Sequence, residues 1–194
     1  MISLRKFVAL APAFLLAGCI SFGGKPPESL LTLTPDSTAP AGTGGQSSAE
    51  TTLALVDFDA PSVLDVTRVP VQVTDTQIAY LKDAVWVEKP ARLFRRLVAE
   101  TIRTRSNRVV VDGDDPGALA VNRLGGTLRQ LGYDARSSSV IVRFDAVKPG
   151  SGSAVETRRF EAVVPGVEAE AASVGAALNQ AANDVAGQVA DWVS

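Results

Sequence analysis

Two kinds of apolar pattern divide this chain. Residues 7–16 are almost continuously apolar, whereas from about residue 52 the apolar positions recur first at every second and later at every third or fourth place. A β-branched, apolar run at 52–57 predicts a central strand. Val69, Val71 and Val73 alternate over 68–73, and Ile78 and Tyr80 share one face over 77–81, so a turn at Thr74, Asp75 and Thr76 closes a hairpin. Pro70 offers no N–H to a ladder, which places its strand at an edge or beside a bulge. Over 90–106, Leu93, Phe94, Leu97, Val98, Thr101 and Ile102 repeat with helical period behind Pro90, a residue suited to a first turn. A strand at 109–111 and a turn at 112–116 follow. Three further strands are predicted at 124–133, 140–147 and 154–164, with Pro149, Gly150, Ser151 and Gly152 turning between the last two. Residues 170–193 close the chain as a second helix, whose apolar side carries Val174, Leu178, Ala181, Ala182, Val185, Val189, Trp192 and Val193. Its alanines permit close approach to a sheet. The expected class is α+β, a mostly antiparallel sheet packed with two main helices in a single domain.

Upstream, Leu30, Leu31 and Leu33 are interleaved with Thr32 and Thr34, which predicts a short strand added to the sheet and stopped at Pro35. Residues 36–50 contain Pro40, Gly42, Gly44, Gly45, Ser47 and Ser48 and too few apolar side chains to offset the entropy of ordering, so they read as a mobile loop. The domain therefore runs over 29–194. Residues 19–28, rich in Gly, Pro and Ser and stiffened by Pro26 and Pro27, read as a tether. Before it, Arg5 and Lys6 precede about ten mostly apolar residues, fewer than the ~20 that span a bilayer, so residues 1–18 have the profile of a cleaved signal segment. That segment ends in Leu16, Ala17, Gly18 and Cys19, a close match to the lipoprotein processing motif. Small residues at Ala17 and Gly18 admit a peptidase to the bond between Gly18 and Cys19, and the Cys19 thiol is the nucleophile that takes the lipid. Each acyl methylene buried in a membrane contributes ~0.8 kcal/mol, so two or three chains anchor the product durably. Ile20 stands where an inner-membrane retention signal would place Asp, which favours the periplasmic face of the outer membrane over the inner one.

Charge and composition then narrow the function. Loss of Arg5 and Lys6 with residues 1–18 takes the formal charge from −2 to −4, a balance unsuited to neutralising nucleic-acid phosphates. The chain has no histidine, which removes the commonest general base and metal ligand, and Cys19 is its sole cysteine, so no disulfide framework or thiol metal site is expected. No cofactor is expected either. Asp112, Gly113, Asp114 and Asp115 lack the ligand spacing of a calcium loop and read as a surface turn. Asp57, Asp59 and Asp65 could in principle supply an acid/base pair, yet they flank Ala60 and Pro61 at a strand end, where Asp is an ordinary turn former. Gly125 and Gly126 inside a strand point to a bulge or close packing. No catalytic residue is assigned.

Two features remain as candidate contacts for a partner or lipid. At 100° per residue Arg92, Arg96 and Arg103 fall within about 40° of one another, opposite the Leu93/Leu97 side, with Arg95 close by. Such a face is either a solvated helix surface or a docking surface for anionic head groups or an acidic partner. Trp86, just ahead of this helix, is either a packing anchor or a ligand platform.

The order of these features carries a resemblance. The lipid-attachment motif is followed by the string Ser29-Leu30-Leu31-Thr32-Leu33, by Leu64-Asp65-Val66-Thr67-Arg68-Val69, by Tyr80 and Trp86 ahead of Pro90 and an amphipathic helix, and finally by Asp191-Trp192-Val193. It resembles the ABC-type transport auxiliary lipoproteins, which include the paraquat-inducible protein C type. Pro70 departs from that pattern, whose strand there is usually uninterrupted. The resemblance implies a non-enzymatic, lipid-anchored periplasmic subunit. Its partners would be an ABC permease and ATPase and a mammalian-cell-entry-domain protein, and its cargo phospholipid or other hydrophobic molecules; a homo-oligomer is left open. A structural lipoprotein of envelope or secretion assembly would share the anchor, and a periplasmic hydrolase built on a carboxylate pair is a third reading.

Overall fold

The computed structural model describes residues 29–106, 108–112 and 121–194. The processing site at Gly18 and Cys19, the tether 19–28 and residues 113–116 of the expected turn lie outside the described residues. Within them the chain forms β1 (Leu53–Asp59), β2 (Arg68–Gln72), β3 (Ile78–Val85), α1 (Pro90–Arg105), β4 (Val110–Asp112), β5 (Asn122–Asp134), β6 (Ser139–Pro149), β7 (Val155–Pro165) and α2 (Ala171–Val193). The long strand β5 organises one mixed sheet. Along one side it pairs antiparallel with β6, which in turn pairs antiparallel with β7. Along its other side β1 runs parallel to its first half and β2 parallel to its last residues, through Val71 against Tyr133 and Gln72 against Asp134. Beyond β1 lies β4, again parallel, and beyond β2 lies β3, its hairpin partner.

The α+β class therefore stands, with a mixed sheet in which three of six strand pairings are parallel. The reason is connectivity. Strands joined by short turns come back antiparallel, whereas β1 and β2 reach β5 only after the crossover through α1 and β4, which brings them alongside it in the same direction. Pro70 sits beside a register shift between Arg68 and Pro70, inside the sheet between β3 and β5. The neighbouring residue on β5 is Gly132, where a Cβ would lie 2.6 Å from the Pro70 carbonyl oxygen. Gly126 is equally constrained: a Cβ there would meet the Asp145 carbonyl oxygen at 2.3 Å and the Phe144 ring at 2.6 Å. At Gly125 a Cβ would lie 2.9 Å from the Val56 side chain, so a neighbouring side chain at Gly125 and backbone at Gly126, beside the register shift between Leu55 and Phe58 opposite, account for the pair.

Both helices pack on one face of the sheet and against each other, α1 over β1 and β4 and α2 over β6 and β7. Alternation sends Val140, Val142, Phe144 and Ala146 of β6 into that layer, where Val174, Leu178, Ala181, Ala182, Val185 and Val189 of α2 meet them fully buried. Phe58, Phe94 and Phe144 join β1, α1 and β6, with ring centroids 4.6 Å apart for Phe58 and Phe144 and 5.2 Å for Phe94 and Phe144. Phe160 of β7 and Trp192 of α2 meet edge-on at 5.7 Å.

The N-terminal segment departs from expectation. It makes a single parallel bridge, Leu31 with Trp86, in place of a full strand. Its remaining partners are helical: the amides of Thr34 and Asp36 donate to the side-chain oxygens of Asn179 (2.7 Å) and Asn183 (3.0 Å), and Asn183 Nδ2 returns a bond to the Thr34 carbonyl (2.9 Å). Asn179 and Asn183 lie one turn apart on α2 with Gly175 a turn before them, and Gly175 leaves room for the Leu31 side chain. Leu33 is buried, and the segment shares a depression with Leu93 and Leu97 of α1. Leu31 and Leu33 thus alternate toward the helix pair. Residues 36–50 carry no helix or strand; Ala39 donates to Glu100 Oε1 of α1 at 2.7 Å, and the amide of Val121 donates to the Ala49 carbonyl at 3.2 Å.

On the face away from the helices, β5, β6 and β7 carry a ladder of ions. Asp145 accepts from Arg159 Nε at 2.6 Å and from Arg129 Nε at 2.9 Å, and Arg143 pairs with Glu161. The Arg159 and Arg129 guanidinium groups hold the Asp145 carboxyl at about 2, below its usual range. A depressed folded value means that this contribution to stability is fully present above the unfolded value near 4 and is lost as pH falls toward 2. Unfolding titrations should therefore show the wild type losing more stability between pH 4 and pH 2 than Asp145→Asn, and parallel curves would refute the assignment.

Candidate functional site

The first turn of α1 opens onto a cleft of about 370 Å³ whose walls include Asp57, Asp59 and Asp65 on one side and Lys89, Arg92 and Arg95 on the other. Sequence dictates this meeting. β1 ends in acidic turn formers, and Pro90 starts a helix whose first turn has no acidic residue and no side-chain cap, so its free N–H groups and positive dipole end remain without a counter-charge of their own. Arg95, one turn further along, has a side chain only 12% exposed and bridges two strands: Nη1 donates to Asp57 Oδ1 at 2.7 Å, and Nε lies 3.2 Å from Asp112 Oδ1 without hydrogen-bond alignment. Lys89 Nζ meets Asp65 Oδ1 at 2.7 Å. Asp57 and Asp65 are thus tied to cations rather than to each other. Arg92 and Asp59 have no ion-pair partner among the described residues.

The arginines of the helix face separate once neighbouring elements are in place. Arg92 is exposed on the rim of the cleft. Arg96 pairs with Glu88, and Arg103 donates to Glu100 Oε2 at 3.1 Å and to the Val110 carbonyl at 3.3 Å. Two of the three face charges are therefore answered within the domain, one of them from the segment between β3 and α1 and one from the turn below. Arg95 is the residue that sequence reasoning undervalued. Its only signal was its place one turn after Arg92 and opposite the Asp-rich end of β1.

Trp86 lies inside. Its ring is 1% exposed, its amide donates to the Thr67 carbonyl at 2.8 Å, and the bridge to Leu31 covers it. A ring so placed anchors the entry to α1 and offers no surface to a partner or lipid. Its Nε1 is buried without a hydrogen-bond partner among the described residues.

The family model for the ABC-type transport auxiliary lipoprotein component matches residues 31–190. A crystal structure of a Xanthomonas campestris protein of the DUF330 family is similar to this chain at 17% identity with a TM-score of 0.69, over 85% of this chain and 94% of that one. A second crystal structure, of an uncharacterized protein, is similar at 12% identity with a TM-score of 0.65, over 86% of this chain and all of the other. These likenesses bear on the fold. No curated protein matches the sequence.

Substitutions at Trp86 and along the arginine face test these placements. Trp86→Ala should lower unfolding free energy by about 3–5 kcal/mol, and Trp86→Phe by less, since it keeps most of the ring and removes the unpaired N–H; a melting curve unchanged by Trp86→Ala would show the ring to be dispensable for packing. For binding of the protein to anionic vesicles across a salt series, Arg92→Gln should weaken low-salt binding more than Arg96→Gln or Arg103→Gln, because exposed, unanswered charge acts over the ~8 Å screening length. Equal effects at all three positions would reject the distinction.

Proposed function

Because this chain belongs to the ABC-type transport auxiliary lipoproteins, we propose that it serves as the lipid-anchored periplasmic accessory subunit of an ABC permease and ATPase working with a mammalian-cell-entry-domain protein. The cargo of such an assembly is phospholipid or another hydrophobic molecule moved between the two membranes. Cys19, acylated after cleavage behind Gly18, holds the subunit at the periplasmic face of the outer membrane. The observation that carries this reading is the match of the family model to nearly the whole folded domain behind a lipoprotein processing motif.

The described structure supports a binding role in preference to catalysis. The mixed-charge cleft at the start of α1 is built from ion pairs, and Arg92 and Asp59 stand at its mouth as groups that a charged partner surface satisfies. Residues 19–28, read as a tether, separate the domain from Cys19.

Affinity capture of the chain from detergent-solubilised envelopes, with proteomic identification of what comes with it, tests the proposal. Wild type should recover the ATPase, permease and mammalian-cell-entry-domain protein, whereas Cys19→Ser, which removes the lipid attachment atom, should accumulate as unprocessed precursor and recover none. Recovery of secretin or other envelope-assembly components in their place, or normal processing of the serine chain, would overturn it.

A further inference from the structure

We propose that two copies of this chain pair antiparallel through their β7 strands, about a two-fold axis at Phe160, to form one continuous sheet. β7 is the long free edge of the sheet. Among the described residues it pairs only with β6, over eleven residues without a register shift, and Val155 and Val163 on it are 67% and 50% exposed. The other margins are shorter: β4 has three residues and β3 eight, with Leu31 meeting the end of β3 at Trp86. A long, regular, unpaired edge presents a row of N–H and C=O groups ready for another strand.

The sequence of β7 is self-complementary in this register and in no other nearby. Residues on one face must oppose residues on the same face, so odd positions oppose odd ones. With the axis at Phe160, Arg159 of each copy faces the partner's Glu161, Thr157 faces the partner's Val163, and no like charges are opposed. Moving the axis one residue either way sets Arg159 against Arg159 or Glu161 against Glu161. The charges already present inside each domain extend the pattern. On β6 and β7, Asp145 stands opposite Arg159 and Arg143 opposite Glu161, both as ion pairs. Across the proposed seam the row reads Asp145, Arg159, the partner's Glu161, the partner's Arg143, with signs alternating over four strands; opposite-charge cross-strand neighbours stabilise a sheet and like ones weaken it. The Glu161 carbonyl accepts from the exposed side-chain amide of Gln188 at 3.2 Å, and its second lone pair remains for the partner's backbone.

Charge reversal separates this interface from effects inside one domain. Sedimentation equilibrium of the full acylated chain in detergent should show a dimer for wild type. Arg159→Glu and Glu161→Arg should each weaken self-association at least tenfold, and the double reversal should restore it, because the pair across the seam is re-formed with exchanged signs. Within each domain the double variant still opposes like charges, a carboxylate to Asp145 and a guanidinium to Arg143, so restoration cannot come from repaired internal contacts. Circular dichroism of each variant verifies that it is folded. A monomeric wild type, a self-association unmoved by single reversals, or a folded double variant as weak as the singles would overturn the proposal.

Discussion

One face of a seven-stranded sheet must be covered by only two helices, and most of this structure follows from that constraint. The Phe58, Phe94 and Phe144 cluster fixes α1 across the strands where β1 and β6 come nearest, and the buried alanines and valines of α2 let that helix lie low over β6 and β7. Two helices leave a groove between them. The segment from Leu31 to Asp36 fills it, with Leu33 in the core and its backbone amides held by Asn179 and Asn183. Those two asparagines provide hydrogen-bond partners for a backbone that is neither helix nor sheet there.

Much of this was legible in the sequence, and the parts that were not have identifiable reasons. The helix over 90–106 is observed as Pro90–Arg105, and the strand expected at 154–164 as Val155–Pro165, because periodicity and Gly/Pro punctuation act locally. Alternation reveals which face a residue takes and says nothing about which strand lies beside it, so the parallel placement of β1 and β2 along β5 was hidden. For the same reason Leu31 and Leu33 read as a sheet strand although the surface they face is helical. Asn179 and Asn183 resemble solvent-facing helix positions until the chain that they hold is known to pass there. Helical geometry placed Arg92, Arg96 and Arg103 together, yet the answers to Arg96 and Arg103, namely Glu88, Glu100 and the Val110 carbonyl, come from a preceding segment, a neighbouring turn and the strand that follows.

The result is a domain with two unlike sides. Its helical side receives the N-terminal segment. Its other side displays the ion ladder on β5, β6 and β7, and the charged cleft at the start of α1 opens where Arg92 is unanswered.

The central claim is that the segment at Thr34–Asp36 is seated in the groove between α1 and α2 and so ties the proposed anchor at Cys19 to the fold. Amide hydrogen exchange of the membrane-anchored chain measures it most directly. The account predicts slow exchange at Thr34 and Asp36 that is lost in the Asn179→Ala/Asn183→Ala variant while the amides within α2 stay protected; exchange at Thr34 and Asp36 in the wild type as fast as in an unstructured peptide would contradict it.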